Sequence, residues 1–307
     1  MLNVFKLIRW PNLLIIAATL FLFKFFLIHV FFKTSALNTI DFVLFTFAML
    51  CIAAGGNIIN DLHDIEIDKI NKPQKRIIGK KVSEKKVNYL YVAFTALGVL
   101  IGFYLANKIG YPSLAILGIL TSIGLYFYST YFKKIMLAGN ILVAFFTALS
   151  IITFGVFELT AISNSSNQFI IVFVFKILLV YAVFAFLVNF LREIVKDIED
   201  VDGDHANGVN SLPIVIGKQR TARLVSIISL LPIGLIMYLV FNYLYTETAL
   251  TAYAIFLLAA PLLYVAITAW SAKKKREYSL LSLVLKMVMV LGICSLIIIK
   301  FTIFKDL

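Results

Sequence analysis

A chain of 307 residues in which 62% are hydrophobic and only 14% are charged is far more apolar than a soluble globular domain. Its mean hydropathy of +0.98 predicts an integral membrane protein and excludes a soluble fold. The formal charge of +12 would suggest nucleic-acid binding in a soluble chain. Here the basic residues cluster in a few short loops, as is typical of a membrane protein, so we predict no nucleic-acid partner.

Nine apolar segments recur along the chain, and each is long enough to cross a bilayer, which needs about 20 residues. They predict transmembrane helices over residues 11–31, 38–60, 88–107, 112–132, 136–157, 168–191, 222–243, 248–270 and 280–303. The expected fold is therefore all-α, a polytopic membrane bundle of about nine transmembrane helices. It forms a single membrane-embedded domain over residues 1–307.

Basic residues are concentrated in alternate connections between these segments. Lys and Arg are frequent in residues 61–87, 133–134, 192–223 and 273–276, whereas the intervening connections hold few. The positive-inside rule then places the N-terminus in the cytoplasm and the C-terminus outside. We expect the protein in an inner or cell membrane, in contact with membrane lipid.

Four polar residues lie within or beside the first and last spans. Arg9 and Asn12 flank the start of the first span, where a proline and a tryptophan are typical of a helix that begins at the membrane interface. We treat both as candidate substrate contacts. Lys24 lies inside the first span and Lys286 inside the last. For each, the alternatives are a side chain that reaches out of the membrane, one that faces a bundle cavity, and a substrate contact.

The first acidic cluster follows the second span. Asn60, Asp61, Asp64 and Asp68 lie close together. If the helix continues, Asn60, Asp64 and Asp68 are spaced i, i+4 and i+8 and share one face. Like charges at this spacing repel, and ionisable groups at a membrane boundary are costly without a partner. Because hard oxygen ligands suit Mg²⁺, we predict a divalent cation here.

A second acidic cluster, Asp197, Asp200 and Asp204, follows the sixth span. Each of these aspartates lies 136 residues after one of the three aspartates of the first cluster, and four helices occupy each interval. Both clusters are therefore expected on the cytoplasmic side, in a parallel internal duplication about an axis along the membrane normal. The expected pseudo-repeats cover about 1–135 and 136–271, and a final helix covers 280–303.

Two facing sets of carboxylates with basic residues nearby form a site for a metal-bound polyphosphate. Mg²⁺ would stabilise a diphosphate as a leaving group, and Lys75, Arg76 and Lys196 are candidate contacts to its oxygens. An apolar bundle beneath such a site suits a lipid tail. Two other interpretations are solvated aspartates paired with basic neighbours, and a cation transporter. Transporters usually place such charges at mid-membrane, whereas both clusters here lie at helix ends.

Three segments resemble signatures of the UbiA superfamily of intramembrane prenyltransferases. They are Asn60-Asp61-x-x-Asp64-x-x-x-Asp68 with Asn71-Lys72-Pro73, Asp200-x-x-x-Asp204-x-x-x-Gly208-x-x-Ser211-Leu212-Pro213, and Tyr128-Ser129-x-x-Phe132-Lys133 with Gly139-Asn140. The resemblance covers nearly the whole chain. It implies nine transmembrane helices and Mg²⁺-dependent transfer of a prenyl group from a polyprenyl diphosphate to a lipid or aromatic acceptor.

The resemblance also implies roles for individual residues. The leading ligands of the metal and the diphosphate would be Asn60, Asp64, Asp200 and Asp204, with Asp61, Asp68 and Asp197 in support or on a second ion. Tyr128 and Lys133 would lie at the cavity mouth and act with the aspartates in catalysis. Where the family usually has Arg-Pro after Asn-x-Pro-x, this chain has Lys75-Arg76, so the phosphate contact stays open between these two residues.

The acceptor is predicted from the second cluster. Residues 196–204 most resemble the branch that contains digeranylgeranylglyceryl phosphate synthase, which alkylates a glycerol hydroxyl of geranylgeranylglyceryl phosphate and so makes an ether lipid. We predict this reaction, with geranylgeranyl as the prenyl group. The alternative within the superfamily is an aromatic or quinone-precursor acceptor, or haem. The cation transporter is the more distant alternative.

Overall fold

Long helices account for most of the fold in this computed structural model, which describes residues 2–71, 77–164 and 166–305. Within those residues, nine helices are long and apolar enough to cross a membrane. They are α1 (Trp10–Phe31), α2 (Thr39–His63), α3 (Glu84–Lys108), α4 (Pro112–Thr130), α5 (Ala138–Ile162), α6 (Gln168–Ala206), α7 (Lys218–Leu244), α8 (Thr248–Ser271) and α9 (Lys275–Thr302). A short helix over Leu2–Leu7 precedes α1, and two more, Ile65–Asn71 and Leu212–Ile216, lie in the connections. The described part of the chain contains no strand, so the predicted all-α membrane bundle is confirmed.

Six of the nine helices, α1, α2, α4, α5, α6 and α9, surround a central cavity. The other three lie outside this ring: α3 packs on α2 and α4, whereas α7 and α8 pack on each other and on α6 and α9. One buried apolar cluster, which includes Phe23, Phe154 and Val174, joins α1, α5 and the start of α6. A second, which includes Leu191 and Leu262, joins α6 to α8. The cavity is thus enclosed by packed helices.

Helix α6 is longer than the apolar segment predicted. It runs for 39 residues to Ala206, whereas hydropathy alone predicted an end at residue 191. At about 1.5 Å per residue its length is about 58 Å, nearly twice the ~30 Å hydrocarbon core of a bilayer. Ile194, Ile198 and Val201 remain buried at helical spacing in this extension. The second acidic cluster therefore lies on an amphipathic continuation of a membrane helix.

The first acidic cluster does not lie on one unbroken helix, which its spacing had suggested. Helix α2 ends at His63, and Asp64 has φ −91° and ψ 8°. The chain then enters the short helix Ile65–Asn71, where the Asp68 N–H donates to the Asp64 carbonyl over 2.8 Å. This short helix packs against α6, so the break at Asp64 directs the first cluster towards the second.

Helices α1 and α5 are each preceded by a non-glycine residue with positive φ. Arg9 precedes α1 with φ 53°, and Leu137 precedes α5 with φ 64°. Among the described residues these are the two non-glycine positions with positive φ, a region that is unfavourable for a residue with a Cβ. Each helix then carries an asparagine as its third residue, Asn12 in α1 and Asn140 in α5.

Lys24 forms a buried ion pair at the end of the bundle opposite the acidic clusters. It begins a π-helical turn (Lys24–Ile28) in α1 and donates to Glu158 of α5 and, over 2.6 Å, to the Leu37 carbonyl. Ser35 also donates to Glu158, over 2.8 Å. The Lys24 and Glu158 side chains are 3% and 0% exposed. Lys24 is therefore an interior cation that joins two helices, far from the predicted substrate site.

We expect Lys24→Met to destabilise the protein, because it leaves the Glu158 carboxylate charged and unpaired inside the bundle. Breaking one partner of a buried ion pair costs about 3–5 kcal/mol. Thermal unfolding in detergent measures this loss, and Lys176→Met, which removes an exposed lysine from α6, is the matched control. Addition of Glu158→Leu should recover most of the loss. Equal melting temperatures for Lys24→Met and the unsubstituted protein would contradict the expectation.

Candidate active site

The first acidic motif begins with two buried polar side chains at the end of α2. Asn60 Nδ2 donates to Asp64 Oδ2 over 2.9 Å, and each residue is 7% exposed. Asp68 follows one turn later on the short helix and is partly exposed. The carboxylate of Asp64 and the amide of Asn60 therefore form one compact group of oxygen donors.

Lys133 provides a positive charge to this group. It lies in the short turn Phe132–Lys134 between α4 and α5. Its ammonium forms an ion pair with Asp64 and lies 3.5 Å from Asn60 Oδ1. Burial lowers the pKa of Lys133, but attraction to Asp64 and, more weakly, to Asp204 raises the pKa overall. The ammonium therefore stays protonated within reach of both acidic motifs.

The amide of Asn71 joins the two acidic motifs. Its Nδ2 donates to the Asp200 carbonyl over 2.7 Å, and its Oδ1 accepts from the Gly203 N–H at 2.9 Å. A Cβ at Gly203 would lie 2.5 Å from Asn71 Cγ, so this close approach requires glycine. Asp204 follows directly and is 6% exposed. The short helix after the first motif is thereby fixed to the helix that carries the second.

Two further aspartates each bind the start of a helix. Asp61 Oδ1 accepts from Arg9 Nη2 at 2.5 Å, and Asp197 Oδ2 accepts from Asn140 Nδ2 at 2.8 Å. Arg9 immediately precedes α1, and Asn140 lies in the first turn of α5. The Asp61 carboxylate holds the pKa of Arg9 well above its usual value, so the Arg9 guanidinium stays protonated. Both aspartates are thus engaged in contacts between helices.

A cavity of about 280 Å³ extends from the motifs into the bundle. Its polar wall is formed by Arg9, Asn12, Asn57, Asn60, Tyr128, Asn189, Arg192, Glu193, Lys196 and Lys286. Its apolar wall includes Leu13, Ile16, Met49, Ile52, Val143, Ile151, Phe184, Met289 and Ile293. An amphiphilic molecule with a charged head and an apolar tail fits such a distribution.

Aromatic side chains fill the bundle at the deep end of the cavity. The hydroxyl of Tyr181 lies 2.6 Å from Ser295 Oγ, and the ring of Phe23 packs edge-on against Tyr181 with centroids 5.4 Å apart. Phe23 and Phe154 are both fully buried. Between Lys196 and Tyr181 the cavity wall follows α6 for about 22 Å. This depth suits an elongated apolar chain.

Most predicted site residues are brought to one end of the bundle. Those that line the cavity are Arg9, Asn12, Asn60, Tyr128 and Lys196. Asp64, Asp200, Asp204 and Lys133 lie beside it, through the contacts described above. Lys75 and Arg76 lie outside the described residues. The predicted residues thus form a mouth of mixed charge above an apolar interior.

Three side chains at this end of the bundle were not among the predicted site residues. Arg192 and Glu193 line the cavity and pair over 3.3 Å, and Asn71 links the motifs. A signal for the first two is present in the sequence, because both charges directly follow an apolar span. Asn71 gives only a weak signal, since its partners are backbone groups on a distant helix.

The oxygen donors fit Mg²⁺ shared with a phosphate ligand better than they fit a closed protein cage. Mg²⁺ keeps several waters and binds through one or two carboxylates together with substrate phosphates. The buried carboxylates of Asp64 and Asp204 come from separate motifs, and both raise the pKa of Lys133. Among the described residues, no three Asp, Glu, His or Cys side chains are grouped closely enough to hold one ion.

Comparison with known sequences gives a consistent assignment. Residues 21–290 match the UbiA prenyltransferase family. A digeranylgeranylglyceryl phosphate synthase from Methanothermobacter thermautotrophicus is 35% identical over 223 residues, which cover 71% of this chain and 73% of the relative. Another, from Saccharolobus solfataricus, is 36% identical over 180 residues, 59% of this chain and 58% of the relative. The matched region therefore spans less than two thirds of the Saccharolobus protein.

Solved structures have the same fold. One, described as giving structural and mechanistic insights into digeranylgeranylglyceryl phosphate synthase in membranes, is 25% identical with a TM-score of 0.61 and 96% of each chain covered. A UbiA homologue from Archaeoglobus fulgidus, bound to GPP and Mg²⁺, has a TM-score of 0.61 at 15% identity and covers 96% of this chain and 99% of its own. From its sequence and fold, this chain belongs to the UbiA prenyltransferase family.

Proposed function

We propose that this chain transfers a geranylgeranyl group from its diphosphate to the free hydroxyl of geranylgeranylglyceryl phosphate, which gives an ether lipid. The observation that carries the proposal is the Asn71 link, because it joins the two acidic motifs at the mouth of a deep apolar cavity. The named function of the Methanothermobacter relative supports this acceptor. The apolar tails of both substrates also match the cavity wall.

Each motif would contribute ligands for Mg²⁺. Asn60 and Asp64 would bind from the first motif, and Asp200 and Asp204 from the second. Bound Mg²⁺ would neutralise the diphosphate and make it a better leaving group. The Mg²⁺ and GPP in the Archaeoglobus homologue support this assignment. Asp68, one turn from Asp64, is a candidate ligand for a second ion.

Asp61 and Asp197 would position the site through their neighbours. The sequence predicted them as possible metal ligands, but their carboxylates already accept from Arg9 and Asn140. We therefore assign them to holding α1 and α5 against the motif-bearing helices. Arg9 and Asn12 face the cavity from the start of α1 and remain candidate substrate contacts.

The transfer breaks the bond between C1 of the prenyl chain and the diphosphate oxygen. It forms a bond between C1 and the acceptor oxygen, which loses its proton. Lys133 would place its ammonium against the leaving diphosphate, where fixed charge is most effective in catalysis. The apolar wall would exclude water that competes with the acceptor for C1. Tyr128 lines the cavity near this mouth and would contact the substrate there.

We also propose that the two expected repeats are copies of one ancestral unit. The positive φ before α1 and before α5 supports this, and so does the fact that Asp61 and Asp197 each contact one of these starts. The two contacts differ in position, because Asp61 contacts the residue before α1 and Asp197 the third residue of α5. The equivalence is incomplete. Asn207 lies 136 residues after Asn71, the same spacing as between the paired aspartates. Asn71 contacts the other half, whereas Asn207 donates to the Gly203 carbonyl of the helix that it follows. The side chain of the inter-motif contact therefore belongs to the first half, and its backbone partners belong to the second.

An acceptor assay tests the function directly. With labelled geranylgeranyl diphosphate and Mg²⁺, the purified protein should convert geranylgeranylglyceryl phosphate to a labelled ether lipid and release one diphosphate per transfer. A hydroxybenzoate or haem should give no labelled product. Product from an aromatic acceptor alone would identify the other branch of the family. Absence of diphosphate release with every acceptor would overturn prenyl transfer.

The isosteric variants Asp64→Asn and Asp204→Asn should each reduce transfer by at least about 100-fold, because each removes a charge needed at the diphosphate. EDTA should have the same effect on the unsubstituted protein. Asp202→Asn is the matched control, since that side chain is 75% exposed and pairs only loosely with Lys218 at 3.2 Å. Near-normal activity of either test variant at saturating Mg²⁺ would remove that motif from the site.

We infer that the N-terminus and both acidic motifs face the cytoplasm, because the motifs lie at the same end as the basic connections. Cys51 and Cys294 would first be replaced by serine, and single cysteines introduced at Asn164 and Lys80. A membrane-impermeant maleimide should label Asn164→Cys in intact cells and Lys80→Cys only after the membrane is opened. The opposite labelling pattern would reverse the orientation.

A further inference from the structure

Three cations line the cavity in addition to Arg9. Arg192 and Lys196 project from α6 and Lys286 from α9. Arg192 precedes Asp200 by eight residues, which is about 12 Å along the helix. We call Arg192, Lys196 and Lys286 the inner basic cluster. Lys286 is a charged residue within an apolar span. The proposed binding of Mg²⁺ and diphosphate by the aspartates gives no reason for a lysine at this position.

The charge of the inner basic cluster is not balanced by the cavity wall. Among the described residues that line the cavity, Glu193 is the one carboxylate. It is shared between Arg192, at 3.3 Å, and Lys196, at 2.7 Å. Lys286 donates instead to the neutral Asn12 Oδ1 over 2.8 Å. Three cations and one anion leave a surplus of two positive charges.

The inner basic cluster also has an unfilled hydrogen-bond donor. Arg192 Nε is buried without a hydrogen-bond partner, an arrangement that is unfavourable in a folded protein. Arg192 and Lys286 line the same cavity. An anion bound between them would satisfy the free donor and offset both charges. Lys286 has the neutral Asn12 side chain, not the Glu193 carboxylate, as its hydrogen-bond partner.

We propose that the inner basic cluster binds the phosphate group of the acceptor lipid. This inference rests on the proposed function, because it requires an acceptor that carries a phosphate monoester. Guanidinium and ammonium groups are the usual protein ligands of phosphate. Basic pockets between membrane helices near the cytoplasmic side bind lipid phosphates in the same way. Lys286 and Asn12 meet between α9 and α1, which places such a pocket at a helix boundary.

The position of the inner basic cluster agrees with the geometry of the reaction. The hydroxyl of the acceptor is on the carbon next to the one that bears the phosphate. With about 3 Å between the reacting atoms, the donor diphosphate and the acceptor phosphate would be on the order of 10 Å apart. The separation of Asp200 and Arg192 along α6 is about 12 Å. With the donor diphosphate at the acidic motifs and the acceptor phosphate at the inner basic cluster, the acceptor hydroxyl would lie next to C1.

Kinetics of Arg192→Gln and Lys286→Gln test the inference. Each variant should raise the KM for geranylgeranylglyceryl phosphate about tenfold or more, since charged hydrogen bonds to phosphate are lost. The KM for geranylgeranyl diphosphate should change by less than about twofold. The decisive measurement compares kcat/KM for this acceptor with kcat/KM for geranylgeranylglycerol, which lacks the phosphate. The unsubstituted protein should strongly prefer the phosphorylated acceptor, and both variants should lose that preference. Lys176→Gln, on the exposed surface of α6, should retain it.

A binding measurement keeps the test valid for a variant with little activity. Geranylgeranylglyceryl phosphate alone should raise the melting temperature of the unsubstituted protein and of Lys176→Gln, but not that of Lys286→Gln. Equal losses with both acceptors, or a raised KM for the donor diphosphate instead, would overturn the inference while leaving prenyl transfer intact. An unsubstituted protein that transfers to another acceptor but never to geranylgeranylglyceryl phosphate would refute the proposed function, and the inference with it.

Discussion

A carboxylate can be buried at a membrane boundary only if a cation or a hydrogen-bond donor comes with it. In this protein those partners come from the points where helices begin or turn. Asp64 is paired with Lys133 in the turn before α5, and Asp61 with Arg9 immediately before α1. In the second motif, Asp197 accepts a hydrogen bond from Asn140 at the start of α5. The contacts that balance the charge of the aspartates are therefore the same contacts that fix where α1 and α5 begin.

Polarity changes in steps along the cavity. The mouth carries both charges, through the aspartates, Arg9 and Lys133. Arg192, Lys196 and Glu193 lie next along α6, and apolar and aromatic side chains lie at the deep end. This order fits an amphiphile whose charged head lies at the motifs. The deep end is closed by rings that pack on each other, such as Phe23 on Tyr181. The buried Lys24–Glu158 pair lies beyond these rings and joins α1 to α5.

The sequence was sufficient to predict the membrane-spanning helices and the proximity of the two acidic motifs, because both predictions depend on patterns that repeat along the chain. It was insufficient where one contact decides the structure. The break after His63 and the extension of α6 to Ala206 depend on packing between distant helices. The partner of Lys24 could not be predicted, because Glu158 lies 134 residues away along the chain. Asn71 was visible only as part of a signature, since its partners are backbone atoms.

The contact at Gly203 has a consequence for the interpretation of related sequences. Here the Asn71 amide occupies the space that a methyl group at position 203 would need, and the acidic residues alone do not indicate this. A paralogue with every aspartate intact but alanine at this position would satisfy any search for the acidic signatures. The methyl group would displace the Asn71 amide from its two backbone contacts on α6. Whether a related sequence can form this site is therefore better judged from the glycine at position 203 together with the aspartates of the two motifs.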